Sequence, residues 1–356
     1  MDIQEAIKKY DTQNVYGSIV SLPDQCLHAW EDANKVEVPE YYKDINNVIM
    51  CGMGGSGLGA RVIESLFAGT LKYPFYRIHD YHLPGFADIH SLVICSAYSG
   101  ETEEPIQITK EAIEKRCKWM AIASGNLLIK LAQEHNVPYY QIEPKFNPSN
   151  QPRLAIGYSI IGQLVLASKI GLFSIEKPDI EKAVHATRKV RDINIIENMS
   201  DNPALSTAFA VKNKILIYVS AQHLVGAAHT ANNQHNENAK NLSFDFVIPE
   251  LNHHLMEGLK HPANNKDNLY FIFIDSDLYS NRIRQRFEIT KDVVSQNNIQ
   301  FSSFKPSSND KLSQVFEVIQ FAGFLNFYLS MLYEQDPAPI PWVDYFKTQL
   351  GQKLGK

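Results

Sequence analysis

The chain has 356 residues, of which 44% are hydrophobic, and this is enough to bury two cores. Its net charge is −5 at pH 7 and its Lys and Arg residues are dispersed, which excludes the basic footprint of a nucleic-acid-binding protein. Its four cysteines show no paired spacing, and Cys51 and Cys95 lie at the ends of apolar runs, where we expect buried free thiols. The amino terminus is acidic and lacks the apolar core of a signal peptide, so we expect a soluble, cytoplasmic protein.

The first half of the chain alternates between short apolar runs and amphipathic stretches. After helical patterning in residues 1–45, strand-like runs fall near 47–52, 75–79, 91–96, 118–123 and 138–142. Helical patterns separate the first four runs, which predicts a parallel sheet with right-handed crossovers and helices on both faces. The clearest linker is 147–152 (NPSNQP), and an apolar helical stretch at 153–172 follows it. Polar residues interrupt that stretch, so it predicts a buried helix rather than a membrane span.

The second half repeats the alternation. A helical pattern at 181–198 precedes strand-like runs at 214–219, 244–248, 269–274 and 300–304, and further helical patterns lie at 279–296 and 311–334. This half therefore has the pattern of a degenerate copy of the first half that lacks the glycine-rich loops. A duplicated α/β layout of this kind places its ligand in the crevice between the halves, at the carboxyl ends of the strands.

Two glycine- and serine-rich segments occupy matching places in the first half. One is CGMGGSGLG (51–59), after the apolar run 48–50, and the other is SAYSGET (96–102), after the run 92–94. Each opens an amphipathic helix, where free backbone N–H groups and the positive end of the helix dipole favour an anion. Two such segments in one unit predict a single phosphate that is held from two sides.

The first of these segments is ambiguous when taken alone. Gly52, Gly54 and Gly57 satisfy the G-x-G-x-x-G pattern of dinucleotide-binding folds, and Asp80 follows at about the right distance. A tight turn that needs glycine only for its geometry explains the pattern equally well. The second segment favours a sugar-phosphate site, because a dinucleotide fold needs no Ser-Gly-x-Thr loop after its third strand, whereas a phosphate has three oxygens to satisfy.

Together the segments resemble the loops of the sugar isomerase (SIS) domain, and in particular those of the bifunctional phosphoglucose/phosphomannose isomerases. Members of that family read GMGGSG and SYSGxTxET there, whereas here Ala97 replaces a usual hydroxyl. The resemblance implies an α/β fold with two SIS-type subdomains, each a parallel sheet flanked by helices. Residues 1–152 would form the amino-terminal subdomain, and 153–356 the inter-domain helix, the carboxyl-terminal subdomain and a tail. The phosphate-binding residues implied by the resemblance are Gly55, Ser56, Ser99 and Thr102.

Glu237 is the candidate base. It lies in the amide-rich segment QHNENAK (234–240), at a predicted loop or helix start. A carboxylate there could simply neutralise a helix amino terminus, which is the more frequent role. It could also move a proton between C1 and C2 of a sugar through an enediolate. The resemblance favours the second role, because the family has a similar Asn-Glu-Asn-Ala-Lys segment whose Glu is the base, although TAN (230–232) replaces its usual upstream Arg-Trp-Lys.

Three further residues receive roles through the same resemblance, and each also has an ordinary structural explanation. Arg153 could be a linker charge, but it matches a family Arg that stabilises the enediolate oxygen. His253, in PELNH (249–253), could cap a turn, but it matches a ring-opening His that reaches the site across a dimer interface. Lys347 could be a solvated lysine, but it matches a Lys of the family's tail that assists ring opening.

No cofactor is expected. Neither an H-E-x-x-H nor a C-x-x-C frame occurs, so we expect metal-free chemistry, unlike that of the zinc-dependent mannose phosphate isomerases. The resemblance implies an aldose–ketose isomerase that converts glucose 6-phosphate, mannose 6-phosphate or both into fructose 6-phosphate and back. It would be a homodimer with shared active sites, a phosphorylated hexose as substrate, and neither nucleic-acid nor membrane partners. A non-catalytic sugar-phosphate sensor, against which Glu237 argues, and an NAD-dependent oxidoreductase are the competing hypotheses.

Overall fold

The computed structural model describes residues 3–353. The elements of the first half are α1 (Ile3–Tyr10), α2 (Val15–Val20), α3 (Leu22–Asn34), β1 (Asn47–Gly52), α4 (Leu58–Leu66), β2 (Phe75–Ile78), β3 (Ser91–Ser96), α5 (Glu103–Glu114), β4 (Lys118–Ala123), α6 (Asn126–Glu134), β5 (Tyr139–Gln141) and α7 (Ile156–Lys169). Those of the second half are α8 (Lys177–Asn194), α9 (Pro203–Val211), β6 (Ile215–Ser220), α10 (Val225–Gln234), β7 (Ser243–Val247), α11 (Leu255–Gly258), α12 (Asn265–Asn268), β8 (Leu269–Ile274), α13 (Asn281–Gln296), β9 (Gln300–Phe304), α14 (Lys311–Leu332) and α15 (Pro341–Lys353).

Two parallel sheets form the framework. The first has the strand order β2-β1-β3-β4-β5 and the second has the order β7-β6-β8-β9. In each sheet the chain runs first to one edge and then across to the other, so the strand order reverses beside β1 and beside β6, as in open α/β folds. The predicted fold, two units that are each a parallel sheet flanked by helices, is confirmed.

The strands lie within one residue of the predicted apolar runs, because a parallel strand that is covered on both faces must be apolar throughout. One predicted helix was displaced at both of its ends. The helix predicted at 181–198 is α8, which begins and ends four residues earlier. A capping box fixes its start: the Glu176 side chain accepts from the Asp179 backbone, and the Asp179 side chain accepts from the Glu176 N–H at 3.0 Å.

The two halves share a backbone turn as well as a strand order. Gly54, after β1, has φ +50° and begins a short 3₁₀ turn. Gln222, after β6, has φ +47° and also begins a 3₁₀ turn, although no glycine is present there. The second half has therefore kept the turn that follows its first strand while losing the glycine-rich sequence.

Helix α7 packs on the first half. It lies against α3 and α4, and its Gly162 faces the ring of Tyr140 in β5, where an added Cβ would lie 2.5 Å from a ring carbon. A short 3₁₀ turn, Pro152–Leu154, connects the linker to α7. The division after residue 152 stays a prediction, but by packing α7 completes the cover of the first sheet.

Helix α14 lies at the centre of the molecule. It packs against α8, α9 and α10 of the second half and against α1 and α2 at the start of the chain. Within residues 3–353 it is the one helix that is long and apolar enough to span a membrane, and almost all of it is buried in the protein. Its few polar side chains are used internally, as when Gln320 donates to the carbonyl oxygen of Ile19 at 3.0 Å.

Candidate active site

The glycine loop (residues 53–57) and the serine loop (residues 97–102) lie side by side. They follow β1 and β3, which are neighbouring strands in register. The Ser56 hydroxyl accepts a hydrogen bond of 2.8 Å from the Tyr98 N–H, so the two loops are joined directly. Because the carboxyl ends of parallel strands meet at one edge of a sheet, the starts of α4 and α5 open toward the same space.

The predicted hydroxyls lie in these loops. The bond from Tyr98 uses the Ser56 oxygen as acceptor, which leaves the hydroxyl proton to be donated. Ser99 is exposed and its oxygen accepts from the Glu101 N–H at 3.2 Å. Thr102 immediately precedes α5 but makes no capping bond to it, so its hydroxyl is not used by the helix. Phosphate binding by these residues and Gly55 stays a prediction.

Gly55 brings the glycine loop against Arg153. A Cβ placed on Gly55 would lie 3.1 Å from the Pro152 carbonyl oxygen and 3.2 Å from the Arg153 Cα. In addition, the Ser159 hydroxyl donates to the Gly55 carbonyl oxygen at 3.1 Å. A glycine at this position therefore allows a closer approach than a side chain would, and this contact places Arg153 beside the loop.

The Arg153 side chain is 2% exposed and is held by four hydrogen bonds. Its Nε donates to Asn238 Oδ1 at 2.6 Å and its Nη1 to Gln151 Oε1 at 2.9 Å. Its Nη2 donates to the carbonyl oxygens of Pro337 and Ala338, at 2.8 and 2.7 Å. A guanidinium group has five N–H bonds, so one hydrogen on Nη1 is left. The explanation of Arg153 as a linker charge is wrong, because the group is buried and immobilised.

Glu237 lies beside that remaining hydrogen. Its Oε2 is 3.7 Å from Arg153 Nη1. It belongs to a π-helical turn, His235–Ala239, that continues α10 at its carboxyl end. The alternative in which Glu237 neutralises a helix amino terminus is therefore wrong. Isolated π-helical turns are rare in proteins, and those that occur are often found at functional sites.

The environment of Glu237 suits a general base. Its side chain is 30% exposed, and burial raises its pKa above the ordinary value. The positive charges of Arg153, Lys240 and Lys347 oppose that rise. A carboxylate with a raised pKa holds a proton more strongly than an exposed one, so it is a stronger base toward a carbon acid.

The other two predicted residues, Lys347 and His253, differ in their position relative to Glu237. Lys347 lies on α15 close enough to Glu237 for their charges to interact within one chain. His253 is exposed on the 3₁₀ turn Glu250–His253 that follows β7. Among residues 3–353, no hydrogen bond or ion pair joins His253 to Glu237, Arg153 or Lys347.

One set of possible metal ligands is present among the described residues. His28, Asp32 and Glu143 each place a ligand atom within 4.8 Å of the others. His28 and Asp32 are one turn apart on α3, and His28 Nε2 lies 3.2 Å from Asp32 Oδ2. None of the three is a predicted site residue, and we assign no metal to them.

Comparison with known proteins finds relatives over almost the whole chain. Residues 200–350 match the model of the bacterial phospho-glucose isomerase C-terminal SIS domain. A bifunctional phosphoglucose/phosphomannose isomerase of Caldicellulosiruptor bescii is 29% identical over 341 residues, which cover 95% of this chain and 99% of that protein. A protein of the same name from Aquifex aeolicus is 28% identical over 326 residues, covering 90% and 94%. The chain is therefore similar over almost its whole length to bifunctional phosphoglucose/phosphomannose isomerases.

The fold comparison agrees. A hypothetical protein from Thermus thermophilus superposes with a TM-score of 0.77 at 13% identity, over 99% of this chain and 94% of that one. An identity this low shows the fold alone. The family to which the two loops pointed is thus confirmed by sequence relatives and the fold by a solved structure.

The segment that departs from the family pattern, TAN (230–232), lies inside α10. Thr230 and Ala231 are buried, and the Thr230 hydroxyl donates to the Gly226 carbonyl oxygen at 2.9 Å. Asn232 donates to Asp245 Oδ1 at 3.1 Å. In this protein the segment therefore forms part of α10, and its Asn232 links that helix to Asp245 of β7.

The sequence interpretation missed Gln163 as a residue of the site. This buried side chain of α7 donates to the Ser56 carbonyl oxygen at 2.7 Å and lies within 3.3 Å of two serine hydroxyls, those of Ser96 and Ser159. Through these contacts Gln163 holds the glycine loop against α7. The signal was available, because Ser159 and Gln163 are polar residues one helical turn apart in an otherwise apolar stretch.

Proposed function

We propose that this protein interconverts fructose 6-phosphate with glucose 6-phosphate, mannose 6-phosphate or both, by a metal-free cis-enediolate mechanism. The observation that carries the proposal is the position of Glu237, a partly buried carboxylate beside Arg153. The backbone of Arg153 in turn packs on Gly55 of the glycine loop. A base, a cation and two hydroxyl-bearing loops thus lie in one region. A non-catalytic sugar-phosphate sensor would have no use for a carboxylate with a raised pKa at this place.

The substrate phosphate would be held by the glycine and serine loops. Ser56, Ser99 and Thr102 supply hydroxyls, and the starts of α4 and α5 supply backbone N–H groups. The sugar then extends toward Arg153 and Glu237. Because most of the substrate in water is a closed ring, a proton must move from O1 to the ring oxygen before isomerisation, and this is the role proposed for His253 and Lys347.

The isomerisation itself moves one proton between two carbons. The Glu237 carboxylate removes the proton from C2 of the aldose, and the electrons of that C–H bond form the C1–C2 double bond of an enediolate. The negative charge on oxygen is stabilised by Arg153, whose remaining Nη1 hydrogen points toward this region. Glu237 returns the proton to C1, a proton moves from O2 to O1, and the ketose results with no net oxidation.

The first test is an assay of both hexose phosphates in the presence of a chelator. We expect formation of fructose 6-phosphate from at least one of them, with the rate unchanged after exhaustive chelation. Loss of activity on chelation and its recovery with zinc would contradict the metal-free mechanism. A requirement for a nicotinamide cofactor would instead support an oxidoreductase.

The sharpest test is the substitution Glu237→Gln, which keeps the shape and removes the base. We expect kcat to fall by roughly 10²–10⁴-fold while substrate affinity changes little, because the lost interaction is used only in the transition state. Exchange of the sugar's C2 proton with deuterated solvent should stop. Anomer interconversion should continue, because ring opening does not need Glu237.

The matched control for that test is Glu250→Gln. Glu250 is an exposed carboxylate at the start of the turn that ends with His253, so its charge can be removed without disturbing the hydrogen bonds of Arg153. We expect near-normal turnover in the control. The opposite pattern, with Glu237→Gln active and Glu250→Gln inactive, would assign the base to Glu250.

The homodimer and the cytoplasmic location belong to the same proposal. His253 is exposed and makes no hydrogen bond to its own Glu237, which supports a dimer in which His253 of each subunit completes the partner's site. A phosphorylated hexose is a cytoplasmic metabolite, which supports that location. Neither nucleic acid nor a membrane has a role in this mechanism.

A further inference from the structure

Lys240 ends the π-helical turn with its ammonium group surrounded by carbonyl oxygens. Its Nζ donates to the carbonyl oxygens of Glu237 and Asn238 in the same turn, at 3.2 and 3.3 Å. It also donates to those of Asp336 and Pro337, at 2.9 and 2.8 Å, which lie 96 and 97 residues further along the chain. An ammonium group has three hydrogens, so these four acceptors use all of them.

The backbone of Lys240 is unusual for a lysine. It has φ 48° and ψ 34°, the left-handed conformation that normally selects Gly or Asn after a helix. A lysine in this conformation is less stable than a glycine would be, because its Cβ lies too close to the following carbonyl oxygen. The contacts of its side chain with the tail explain why a lysine occupies the position.

The tail that Lys240 binds is held by two cations. The carbonyl oxygens of residues 336–338 form a row, of which Lys240 binds the first two and Arg153 binds the last two. The next residues, 339–341, include two prolines, which have a fixed φ and no N–H group. The short segment that joins the bound row to α15 is therefore stiff, so the orientation of the row largely sets the orientation of α15.

Within the protomer, α15 packs little against the rest of the chain, so its own contacts do little to fix its position. Its first eight residues, 341–348, are exposed, and Trp342 is 82% exposed. A helix of 13 residues is only marginally stable by itself in water. The row 336–338 therefore decides where α15, and with it Lys347, is located.

We propose that Lys240 is a positioning residue that clamps the tail and so keeps Lys347 on the side of the molecule where its charge acts on Glu237. This role rests on the proposed function, in which Lys347 assists ring opening. Lys240 itself needs no contact with the substrate. Its effect on catalysis passes through the geometry of residues 336–347.

The charge of Lys240 is sensitive to pH near the neutral range. Burial of the ammonium group among the carbonyls, together with the positive charge of Arg153, lowers the pKa of Lys240 to about 8, while Asp336 and Glu237 act in the opposite direction. Below pH 8 the group is an ammonium that binds the row. Above it the amine has one donor fewer and no charge, so the clamp weakens as the pH rises through this value.

A double-mutant cycle tests the role. We expect Lys240→Met to lower kcat/KM by about 10- to 100-fold, because displacement of a catalytic group by about 1 Å has effects of this size. Lys347→Ala should lower it at least as much. If Lys240 acts through Lys347, the double variant should lie within about twofold of Lys347→Ala alone. Losses that multiply in the double variant would overturn the role, as would a Lys240→Met enzyme within twofold of the unmodified protein.

Amide hydrogen exchange of the 341–351 peptide tests the clamp without any assay. At one fixed pH below 8, exchange in this peptide should be at least several-fold faster in Lys240→Met than in the unmodified protein, while peptides of β1 and β3 stay unchanged. Equal exchange in the 341–351 peptide would overturn the clamp. Because this measurement needs no turnover, failure of the proposed isomerase activity and failure of the clamp are separate outcomes.

Two variants serve as controls. Lys240→Arg keeps a cation of similar reach that stays charged above pH 8, so it should retain most of the activity and keep the 341–351 peptide protected at pH 9, where the unmodified protein loses protection. Lys182→Met removes an exposed lysine of α8 and should change neither measurement. A Lys240→Arg protein as impaired as Lys240→Met would overturn a role based on charge and donors.

Discussion

At the scale of single residues, Arg153 is almost completely buried, yet none of its hydrogen bonds goes to a carboxylate. Its four hydrogen bonds go to amide and carbonyl oxygens rather than to carboxylates. Burial lowers its pKa, but an arginine remains protonated at any physiological pH. Its positive charge is therefore directed at the nearest anion, which is Glu237 in the free protein and would be the enediolate oxygen during catalysis.

Ser99 gives the residue-scale test of the phosphate loops. Because the Ser99 hydroxyl would donate to a charged group, we expect Ser99→Ala to weaken binding of fructose 6-phosphate by about 1.5–3 kcal/mol, measured by calorimetry. Ser295→Ala, at an exposed position of α13, is the matched control and should bind normally. Unchanged affinity in Ser99→Ala would remove the phosphate from this loop position.

At the scale of elements, the contact of the glycine loop with the turn Pro152–Leu154 is the junction that sets the site. Ordinary Cβ contacts are longer than the 3.1–3.3 Å that a side chain on Gly55 would meet here. The opposing atoms belong to the backbone of residues 152 and 153, so they cannot rotate away. Any side chain at residue 55 must separate the loop from the turn by a few tenths of an ångström.

We therefore expect Gly55→Ala to move Arg153 relative to the phosphate loops and to lower kcat by about tenfold or more, with a smaller effect on the melting temperature. Steady-state kinetics and a thermal unfolding curve measure the two effects. Gly69→Ala is the control, because a Cβ at that exposed glycine has open space around it. If both variants had normal kcat, close packing at residue 55 would not matter for catalysis.

The elements themselves were largely predictable from the sequence. The strands follow from apolar runs, and the loops after β1 and β3 follow from glycine and hydroxyl residues at strand ends. Two features were not predictable. The π-helical turn that carries Glu237 has no periodic signature, and the capping box at Glu176 moved α8 by one turn from the place that its apolar spacing predicted.

The contacts that assemble the site were less predictable, because they join distant parts of the chain. Arg153 binds Asn238 and Pro337, which are 85 and 184 residues away. Nothing in the local sequence of either partner indicates the other. Only the resemblance to the family indicated that Arg153, Glu237 and Lys347 belong to one site, whereas the tail contacts of Lys240 became visible only in the structure.

At the scale of the whole molecule, the proposed role of His253 in the partner's site predicts how two inactive variants behave when they are mixed. Glu237→Gln and His253→Ala should each be nearly inactive as homodimers. In a hybrid dimer one site would contain both an intact Glu237 and an intact His253. After subunit exchange at equal concentrations, about a quarter of the unmodified activity should return, because half of the dimers are hybrids with one working site each.

The control for mixing follows from the position of Lys347, which lies near Glu237 of the same chain. Mixing Glu237→Gln with Lys347→Ala should restore nothing, because every site in such a hybrid lacks one of the two residues. Mass spectrometry of intact dimers must show that the subunits have exchanged. Exchanged dimers with no recovery in the first mixture would contradict the shared site.

The central position of α14 has a consequence for how this protein is made. A ribosome releases the chain from its amino end, and the Gln320 that binds Ile19 follows it by 301 residues. At 5–20 residues per second, the delay between the two is roughly 15–60 s. During that time α1 and α2 are outside the ribosome without the helix that covers them. The first sheet can assemble while synthesis continues, but the chain completes its core only when α14 is released, and chaperones that bind apolar segments have that interval in which to act.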